Sequence, residues 1–283
     1  MKIGVMIESF RAGLAGGLAA AAELGADGVQ LYATGGETHF ARVDRADLRK
    51  RLADAGLELA AVCGDFGGHG FQVAADNPRR VEDSQRVMDL AVELGCQVVT
   101  THIGVIPADP AHERYGVLAA ACEQLARYGQ RVGATFAIET GPEPADVLRA
   151  FLDELGRPEG IGVNFDPANL VMVLNADVPA AVEALGPYIV HTHAKDGVNL
   201  QPVDPERLYA AFAEGGIEGF HAERYLREVP LGEGGVDWPA YLAALRSAEF
   251  DGYLTIEREV GAQPRKDIAA AIAFLRELLA GNA

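Results

Sequence analysis

The sequence has 283 residues, of which 49% are hydrophobic, and it carries a formal net charge of −17 at pH 7. This length and composition can supply one α/β barrel of roughly 250 residues, although two ordinary domains would also fit. The acidic charge disfavours binding to nucleic acid or to anionic lipid, because both would repel the chain.

The cysteine content and the amino-terminal sequence indicate the cellular compartment. Three cysteines without close spacing, Cys63, Cys96 and Cys122, do not suggest a disulfide framework and favour a reducing compartment. The opening sequence MKIGVMIESF lacks the long apolar region of a signal peptide, and no run approaches about 18 uninterrupted apolar residues. We therefore expect a cytoplasmic protein with no membrane partner.

Short apolar segments alternate with helical segments along the whole chain. The predicted strands are Lys2–Met6, Gly28–Tyr32, Glu58–Cys63, Gln97–Thr101, Thr135–Glu139, Ile161–Phe165, Ile189–His193 and Tyr253–Glu257. The predicted helices are Ala12–Leu24, Asp44–Ala55, Pro78–Leu94, Glu113–Val132, Pro144–Leu155, Pro179–Leu185, Asp237–Ala248 and Arg265–Leu279. Glycine follows several of these helices directly, as is common where a helix ends.

Eight strand–helix units of about 35 residues predict a (β/α)8 TIM barrel, forming a single domain over residues 1–283. An open doubly wound sheet is the main alternative, since eight units do not prove closure. The glycine-rich dinucleotide motif is missing after the first strand, which weakens that alternative. The segment Gly197–Gly235 is rich in glycine, proline and charge, with a short helix predicted near Glu206–Glu214. It is typical of a lid or of a subunit contact in a homo-oligomer, and both alternatives stay open.

Four predicted strands in the second half of the chain end in metal-binding side chain types. These residues are Glu139, Asp166, His193 and Glu257. In a barrel the carboxyl ends of the strands converge on one face, so the four side chains would meet there. Three carboxylates and one imidazole suit Mn²⁺, Mg²⁺, Co²⁺ or Zn²⁺. His191 points to the same side of its strand as His193, and we interpret it as a hydrogen-bonded core residue.

Further polar residues lie near the same strand ends. Glu8, His69 and His102 would approach the site from the first, third and fourth strands, and the two histidines are candidate substrate contacts. Lys195 and Asp196 directly follow the seventh strand and are also candidates. They could instead pair with each other, or Asp196 could orient His193 through its second nitrogen, as metal-bound histidines commonly need. Arg258 and Glu259 are interpreted as a surface pair.

The strings FDPAN, HTHAKD, EVPLGEGGVDW and LTIERE together resemble the sugar phosphate isomerase/epimerase family. This family looks like the xylose isomerase-like barrels and is similar in fold to endonuclease IV. The resemblance covers essentially the whole chain and is specific for the superfamily rather than for a substrate. It implies one divalent metal, with Mn²⁺ favoured, held by Glu139, Asp166, His193 and Glu257. It also implies that the two glutamates act as acid and base on opposite faces of the substrate.

One position departs from the resemblance. Ketose 3-epimerases of this superfamily and endonuclease IV carry histidine three residues after the aspartate of the sixth strand, where this chain has Asn169. The difference disfavours a three-zinc centre and leaves open which group replaces the histidine at the substrate hydroxyls. Asn169 is a candidate for that contact. Glu228, the first residue of the string EVPLGEGGVDW, is a further candidate for substrate binding.

These observations lead to a functional hypothesis with alternatives. We expect a metal-dependent isomerase or epimerase that acts on a small sugar, keto-sugar or sugar phosphate. It would remove a proton next to a carbonyl and stabilise an enediolate. A lyase or dehydratase acting on a keto-sugar or keto-inositol would share the first step. A phosphodiesterase-type nuclease is disfavoured by the acidic charge, by Asn169 and by the lack of Lys/Arg clusters. A non-catalytic sugar-binding barrel stays open.

Overall fold

The computed structural model describes residues 1–156 and 159–281. Its ten strands are β1 (Lys2–Met6), β2 (Gly28–Tyr32), β3 (Glu58–Cys63), β4 (Val98–Thr101), β5 (Thr135–Glu139), β6 (Ile161–Phe165), β7 (Ile189–Ala194), β8 (Asp196–Asn199), β9 (Leu226–Val229) and β10 (Tyr253–Ile256). Eight of them form a closed parallel barrel in the order β1-β10-β7-β6-β5-β4-β3-β2, and β1 closes the ring by pairing with both β2 and β10. The predicted TIM barrel is therefore confirmed, and the open sheet is excluded.

The barrel strands are buried on both faces, which explains their nearly continuous apolar sequences. The helices around them are α1 (Gly13–Leu24), α2 (Arg45–Ala55), α3 (Asn77–Glu93), α4 (Glu113–Val132), α5 (Ala145–Glu154), α6 (Pro167–Leu174), α7 (Val178–Leu185), α8 (Pro205–Ala213), α9 (Trp238–Ser247) and α10 (Pro264–Ala280). The sequence pattern did not predict α6, although an aspartate followed by proline is a helix-start signal. The predicted domain limits 1–283 include residues 157, 158, 282 and 283, which lie outside the described residues.

The segment from residue 197 to 235 folds against the mouth of the barrel. Strands β8 and β9 pair as a two-stranded antiparallel sheet, which was not predicted from the sequence, and α8, which lies between them in the chain, confirms the predicted short helix. This segment has a small hydrophobic core of its own, formed by Leu208, Ala211 and Phe220. An ion pair of 2.6 Å between Arg114 and Glu206 joins α8 to the first turn of α4. The three cysteines are buried and free. Within the described residues, no helix is both long enough and apolar enough to cross a membrane.

Candidate metal centre

The four strand-end residues with metal-binding side chains lie together inside the mouth of the barrel. They are Glu139, Asp166, His193 and Glu257. One ligand atom of each lies within 4.8 Å of the others, and all four residues are buried. His193 Nδ1 lies 3.3 Å from Asp166 Oδ2 and 3.4 Å from Glu257 Oε2. Its distance to Glu139 Oε1 is 3.5 Å. The strand ends therefore converge as the barrel geometry requires.

The start of α6 holds Asp166 in position. Its Oδ1 accepts hydrogen bonds from the backbone N–H groups of Ala168 at 2.8 Å and Asn169 at 3.0 Å, which makes it the N-cap of the helix. The Thr140 hydroxyl donates to the Asp166 carbonyl at 2.9 Å and accepts from the Asp166 N–H at 2.7 Å. These bonds join the ends of β5 and β6 and leave Oδ2 of the carboxylate for the centre.

Two asparagines orient Glu139. Asn164 Nδ2 donates to Glu139 Oε2 at 3.0 Å, and Asn169 Nδ2 donates to Oε1 at 3.2 Å and to the Thr140 carbonyl at 3.1 Å. Asn169, predicted as a substrate contact, thus lies beside the centre and holds one of its carboxylates. Asn164 was not predicted as a site residue. The sequence feature that could have identified it is a polar side chain within the apolar strand IGVNF, at a position that faces the barrel interior.

Gln30, and not Asp196, accepts the hydrogen bond from the second nitrogen of His193. Gln30 Oε1 lies 3.3 Å from His193 Nε2 and 2.9 Å from His191 Nε2. The interpretation of His191 as a hydrogen-bonded core residue is confirmed, and burial lowers its pKa to about 3. A neutral amide oxygen that accepts from Nε2 leaves Nδ1 free to bind a metal. Gln30 was also missed, although it is polar within the buried strand GVQLY.

Lys195 is bound to two carboxylates in the residues that directly follow β10. Its ammonium group donates to Glu257 Oε2 at 2.9 Å and also to Glu259. Burial tends to lower the pKa of Lys195, but the charges of these glutamates outweigh it and raise the pKa well above its usual value. The alternative in which Lys195 pairs with Asp196 is therefore wrong. Lys195 instead fixes the orientation of Glu257 and offsets its charge.

The two glutamates of the centre differ in electrostatic environment. Burial raises the pKa of Glu257 to about 7, although Lys195 and His193 act against it. Burial also acts to raise the pKa of Glu139, but the positive charges of His102 and His193 outweigh it and the pKa is lowered. Burial tends to lower the pKa of His193, while Glu139 and Glu257 raise it well above its usual value. The cluster thus concentrates anionic charge around one imidazole.

His102 lies at the rim of the same centre, whereas His69 lies farther out. His102 Nδ1 is 3.0 Å from Asp65 Oδ2, and His102 Nε2 is 3.4 Å from Glu139 Oε1. The side chain of His102 is 36% exposed, so a bound molecule could reach it. His69 contacts Glu214 at 3.4 Å and does not join the cluster of four. Of the two histidines predicted as substrate contacts, His102 is therefore the one that lies beside the candidate metal centre.

Asp196 stabilises the loop that follows β9. Both of its oxygens accept hydrogen bonds from that loop, including 2.9 Å from Gly232 N and 3.0 Å from Trp238 Nε1. Asp196 is 1% exposed, and the hydrogen-bond partners of its carboxylate are backbone N–H groups and the Trp238 indole rather than His193. A Cβ at Gly234 would lie 2.0 Å from Asp196 Oδ1, so only glycine fits there. The expectation that Asp196 orients His193 is wrong.

Glu228 and Arg258 form a buried ion pair. Arg258 Nη1 donates to Glu228 Oε1 at 2.5 Å, and Arg258 Nε donates to Asp267 at 3.0 Å. The Glu228 carboxylate also accepts from the Glu259 N–H. This ties β9 to the end of β10, so Glu228 supports the segment that carries Glu257. The interpretation of Arg258 and Glu259 as a surface pair is wrong, because both residues are paired with other partners.

The arrangement fits a divalent metal ion. Ligand atoms about 2.1 Å from one ion lie about 3.0–3.4 Å apart in octahedral or tetrahedral geometry. The contacts of His193 Nδ1 with the three carboxylates span 3.3 to 3.5 Å. Hard carboxylate oxygens with one imidazole are a donor set for Mn²⁺, Mg²⁺, Co²⁺ or Zn²⁺. The four residues could therefore bind a metal, and the donor set does not select among these ions.

Comparison with known protein families gives a match over residues 18–278 to the model of the xylose isomerase-like TIM barrel. The chain belongs to this family. A solved structure of a xylose isomerase domain protein from Planctomyces limnophilus is similar to this chain, with 27% sequence identity and a TM-score of 0.78. The match covers 98% of this chain and 96% of that chain. The resemblance found in the sequence is thus confirmed.

Two enzymes of lower identity share the fold of this xylose isomerase-like barrel. A D-psicose 3-epimerase, crystallised in the presence of D-fructose, is 18% identical with a TM-score of 0.72 and coverage of 99% of both chains. A probable 3-DHS dehydratase from Bacillus anthracis is 20% identical with a TM-score of 0.74, covering 98% of this chain and 99% of that chain. A comparison with curated proteins finds no significant match.

A further buried glutamate of this xylose isomerase-like barrel, in addition to Glu139 and Glu257, was not predicted. Glu143 lies in the loop between β5 and α5, is 4% exposed, and has no hydrogen-bond partner for Oε2 among the described residues. Burial raises its pKa to about 7. The sequence TGPEP carries no local signal for this, because glutamate before proline in a loop is usually solvated. Only the packing of the loop around it produces the burial.

Metal binding by this xylose isomerase-like barrel should depend on the charge of Asp166. We expect the wild type to bind about one Mn²⁺ per chain, and Asp166→Asn to bind it at least about 100-fold more weakly. Asparagine also caps helices, so α6 should stay intact and the change isolates the lost charge. Calorimetric titration with Mn²⁺ measures the affinity, with His69→Gln as a control that should retain it. A wild type that binds no divalent ion after chelation and reloading would contradict the metal centre.

Proposed function

We propose that this protein is a divalent-metal-dependent isomerase or epimerase of small sugars or keto-sugars. The observation that carries the proposal is the pair of buried carboxylates that reach one centre from two strands that are not neighbours in the barrel. Glu139 lies at the end of β5 and Glu257 directly after β10, with β6 and β7 between them in the ring. Both carboxylates approach His193 Nδ1 within 3.5 Å. A substrate bound between them would present two faces of one carbon to two bases.

The residues around the pair support proton transfer at both faces. Glu257 is held by Lys195, while Glu139 is held by Asn164 and Asn169, so each carboxylate has a defined orientation. Such fixed carboxylates can remove a proton from the carbon beside a carbonyl and return it from the opposite side. When bound, a divalent ion would polarise the carbonyl and adjacent hydroxyl and thereby acidify the C–H bond. His102, beside Glu139, can contact a substrate hydroxyl.

A lyase or dehydratase is the second candidate. The observation in its favour is the likeness of fold to the probable 3-DHS dehydratase. Both reactions start with proton removal next to a carbonyl, and they differ in whether a β-oxygen group then leaves. A nuclease is disfavoured by the net charge of −17. A cytoplasmic location and assembly into a homo-oligomer stay predictions from the sequence.

Solvent deuterium uptake tests the proposed function. Incubation of the Mn²⁺-loaded protein in D₂O with D-fructose, D-psicose and D-tagatose should place deuterium at a carbon next to the carbonyl of at least one of them, detected by NMR. An epimerase returns a stereoisomer of the ketose, whereas a dehydratase forms a product that has lost water. Product formation in which the substrate keeps its own hydrogen throughout would contradict proton exchange with a solvent-accessible base.

A further inference from the structure

A pocket beside the candidate metal centre is formed by the chain segments that follow β1 and β2. Its volume is about 480 Å³, which is within the range of about 300–1,000 Å³ for pockets that bind small molecules. The polar residues that line it are Glu8, Arg11, Tyr32, Thr34, Glu37 and Thr38. It lies on the face of the barrel where the strands end, and none of the four predicted metal ligands lines it.

Direct contacts connect the wall of this pocket to the segment that carries Glu257. The Arg258 N–H donates to Ser9 Oγ at 2.9 Å. The guanidinium of Arg11 donates to the Glu259 carbonyl at 2.6 Å and to the Gly261 carbonyl at 2.7 Å. The register of β1 and β10 pairs Val5 with Ile256, so the residues after β1 run beside Glu257. Ile7 and Glu8, which line the pocket, thus directly follow the strand that pairs with β10, and Glu257 directly follows β10. A substrate group that extends from the centre toward the end of β1 would therefore reach this pocket.

Tyr32 marks the boundary between the pocket and the centre. Its N–H donates to Glu8 Oε1 at 3.1 Å, and its carbonyl accepts from the Thr38 hydroxyl at 2.5 Å, so both walls of the pocket are held to the end of β2. The pKa of Tyr32 is raised because the nearby Cys63 sulfur, burial and the charges of Glu257 and Glu139 all disfavour a phenolate there. The phenol thus stays neutral and protonated, able to donate to an acceptor bound between the two regions.

The lining chemistry selects a neutral, hydroxyl-rich ligand. Glu8 and Glu37 contribute carboxylates that accept hydrogen bonds from hydroxyl groups, and Thr34 adds a hydroxyl. Arg11 is the single cation among the lining residues, and its guanidinium is already bound to two backbone carbonyls. A phosphate group would meet two carboxylates and one occupied arginine, which disfavours its binding. Ile7 and Leu14 provide apolar surface for the C–H face of a sugar ring.

We propose that this pocket is a subsite for a neutral polyhydroxylated group attached to the reacting sugar, such as a second sugar ring. The inference rests on the proposed function, because it assumes that a sugar reacts at the adjacent centre. It deepens that function by selecting glycosylated, unphosphorylated substrates over sugar phosphates.

Calorimetric binding to the Mn²⁺-loaded protein tests the subsite with three probes: D-fructose, D-fructose 6-phosphate, and isomaltulose, in which a glucose ring is attached to fructose. Two or more additional hydrogen bonds should make isomaltulose bind at least about 10-fold more tightly than D-fructose. D-Fructose 6-phosphate should bind more weakly than D-fructose.

A variant whose new side chain fills the pocket gives the decisive test of the subsite. Gly35 lines the pocket, has an extended backbone with φ of −151°, and its added Cβ would meet no atom within 4 Å. Gly35→Trp should therefore fold normally and abolish the preference for isomaltulose over D-fructose. Gly116→Trp is the matched control, because Gly116 is equally unobstructed but lies in α4 outside the pocket. This control should keep the preference.

The outcomes separate the subsite from the proposed function. Equal affinities of the wild type for isomaltulose and D-fructose, including no binding of either, would overturn the subsite. Tighter binding of the phosphate, or a preference that survives in Gly35→Trp, would overturn it as well. If isomaltulose is preferred and the preference is lost in Gly35→Trp, the subsite is supported. Absence of deuterium exchange from all three probes would then contradict the proposed function alone.

Discussion

Replacing Glu257 or Glu139 by glutamine should lower the rate of deuterium exchange about 10²- to 10⁴-fold, the usual range for a positioned acid or base. Glutamine keeps the size of the side chain and one oxygen for metal binding, but its amide cannot accept a proton from carbon. We expect both variants to fold, because glutamine keeps the size of the side chain and one oxygen that can accept hydrogen bonds from Asn164, Asn169 or Lys195. The exchange rate in D₂O, measured at saturating Mn²⁺ for the best ketose substrate, checks this result.

Two controls make the result specific. The metal content of each variant must be measured, so that a loss of rate is not simply a loss of the ion. Glu218→Gln changes an exposed glutamate away from the centre and should leave the rate unchanged. Full rates in both Glu139→Gln and Glu257→Gln would mean that the glutamates act only as ligands, and the proton-transfer mechanism would then be wrong.

Replacing Asp196 by asparagine should lower the free energy of unfolding by about 2–4 kcal/mol, because a buried donor that loses its acceptor costs about 1–3 kcal/mol. The carboxylate accepts hydrogen bonds from the backbone N–H groups of Gly197, Gly232, Gly234 and Val236 and from the Trp238 indole. An asparagine amide would direct N–H groups at some of these donors. Val236 and Trp238 are buried, so water cannot readily replace the acceptor that their N–H groups would lose.

Urea unfolding at fixed Mn²⁺ concentration measures the effect of Asp196→Asn. Asp76→Asn is the matched control, since Asp76 is exposed and makes no side-chain capping bond at the start of α3, and it should change the free energy of unfolding by less than about 0.5 kcal/mol. A change of less than about 1 kcal/mol in Asp196→Asn would mean that the loop is held by its other contacts. Catalytic loss without destabilisation would instead point to a direct role of Asp196 at the substrate.

Lys195 and Asp196 are neighbours in the sequence but have different roles. Lys195 donates to Glu257 and therefore belongs to the candidate metal centre, whereas Asp196 binds the loop after β9. Successive residues of an extended chain point in opposite directions, which separates the two side chains. The string HTHAKD thus combines a predicted metal ligand, a residue that positions a carboxylate, and a structural anchor within four positions.

The amino-acid sequence by itself determined the barrel and the convergence of its four strand-end residues. Apolar strands alternating with helices that end at glycine are local patterns, and a parallel barrel brings strand ends together whatever the loops do. Glu139, Asp166, His193 and Glu257 could be identified because each directly follows, or ends, such an apolar strand.

Only the tertiary structure decided which partners the other polar residues have. Glu228 and Arg258 lie 30 positions apart in the sequence, and Gln30 and His193 lie 163 positions apart. Such pairs depend on the register of strands and on the path of loops, which no local pattern encodes. For the same reason the interpretation of Arg258 as part of a surface pair was wrong. Its burial arises from the packing of β9 and α10 against it, which the sequence around Arg258 does not indicate. A hydrogen bond forms between groups that the completed barrel brings within about 3 Å, and sequence spacing does not predict that distance.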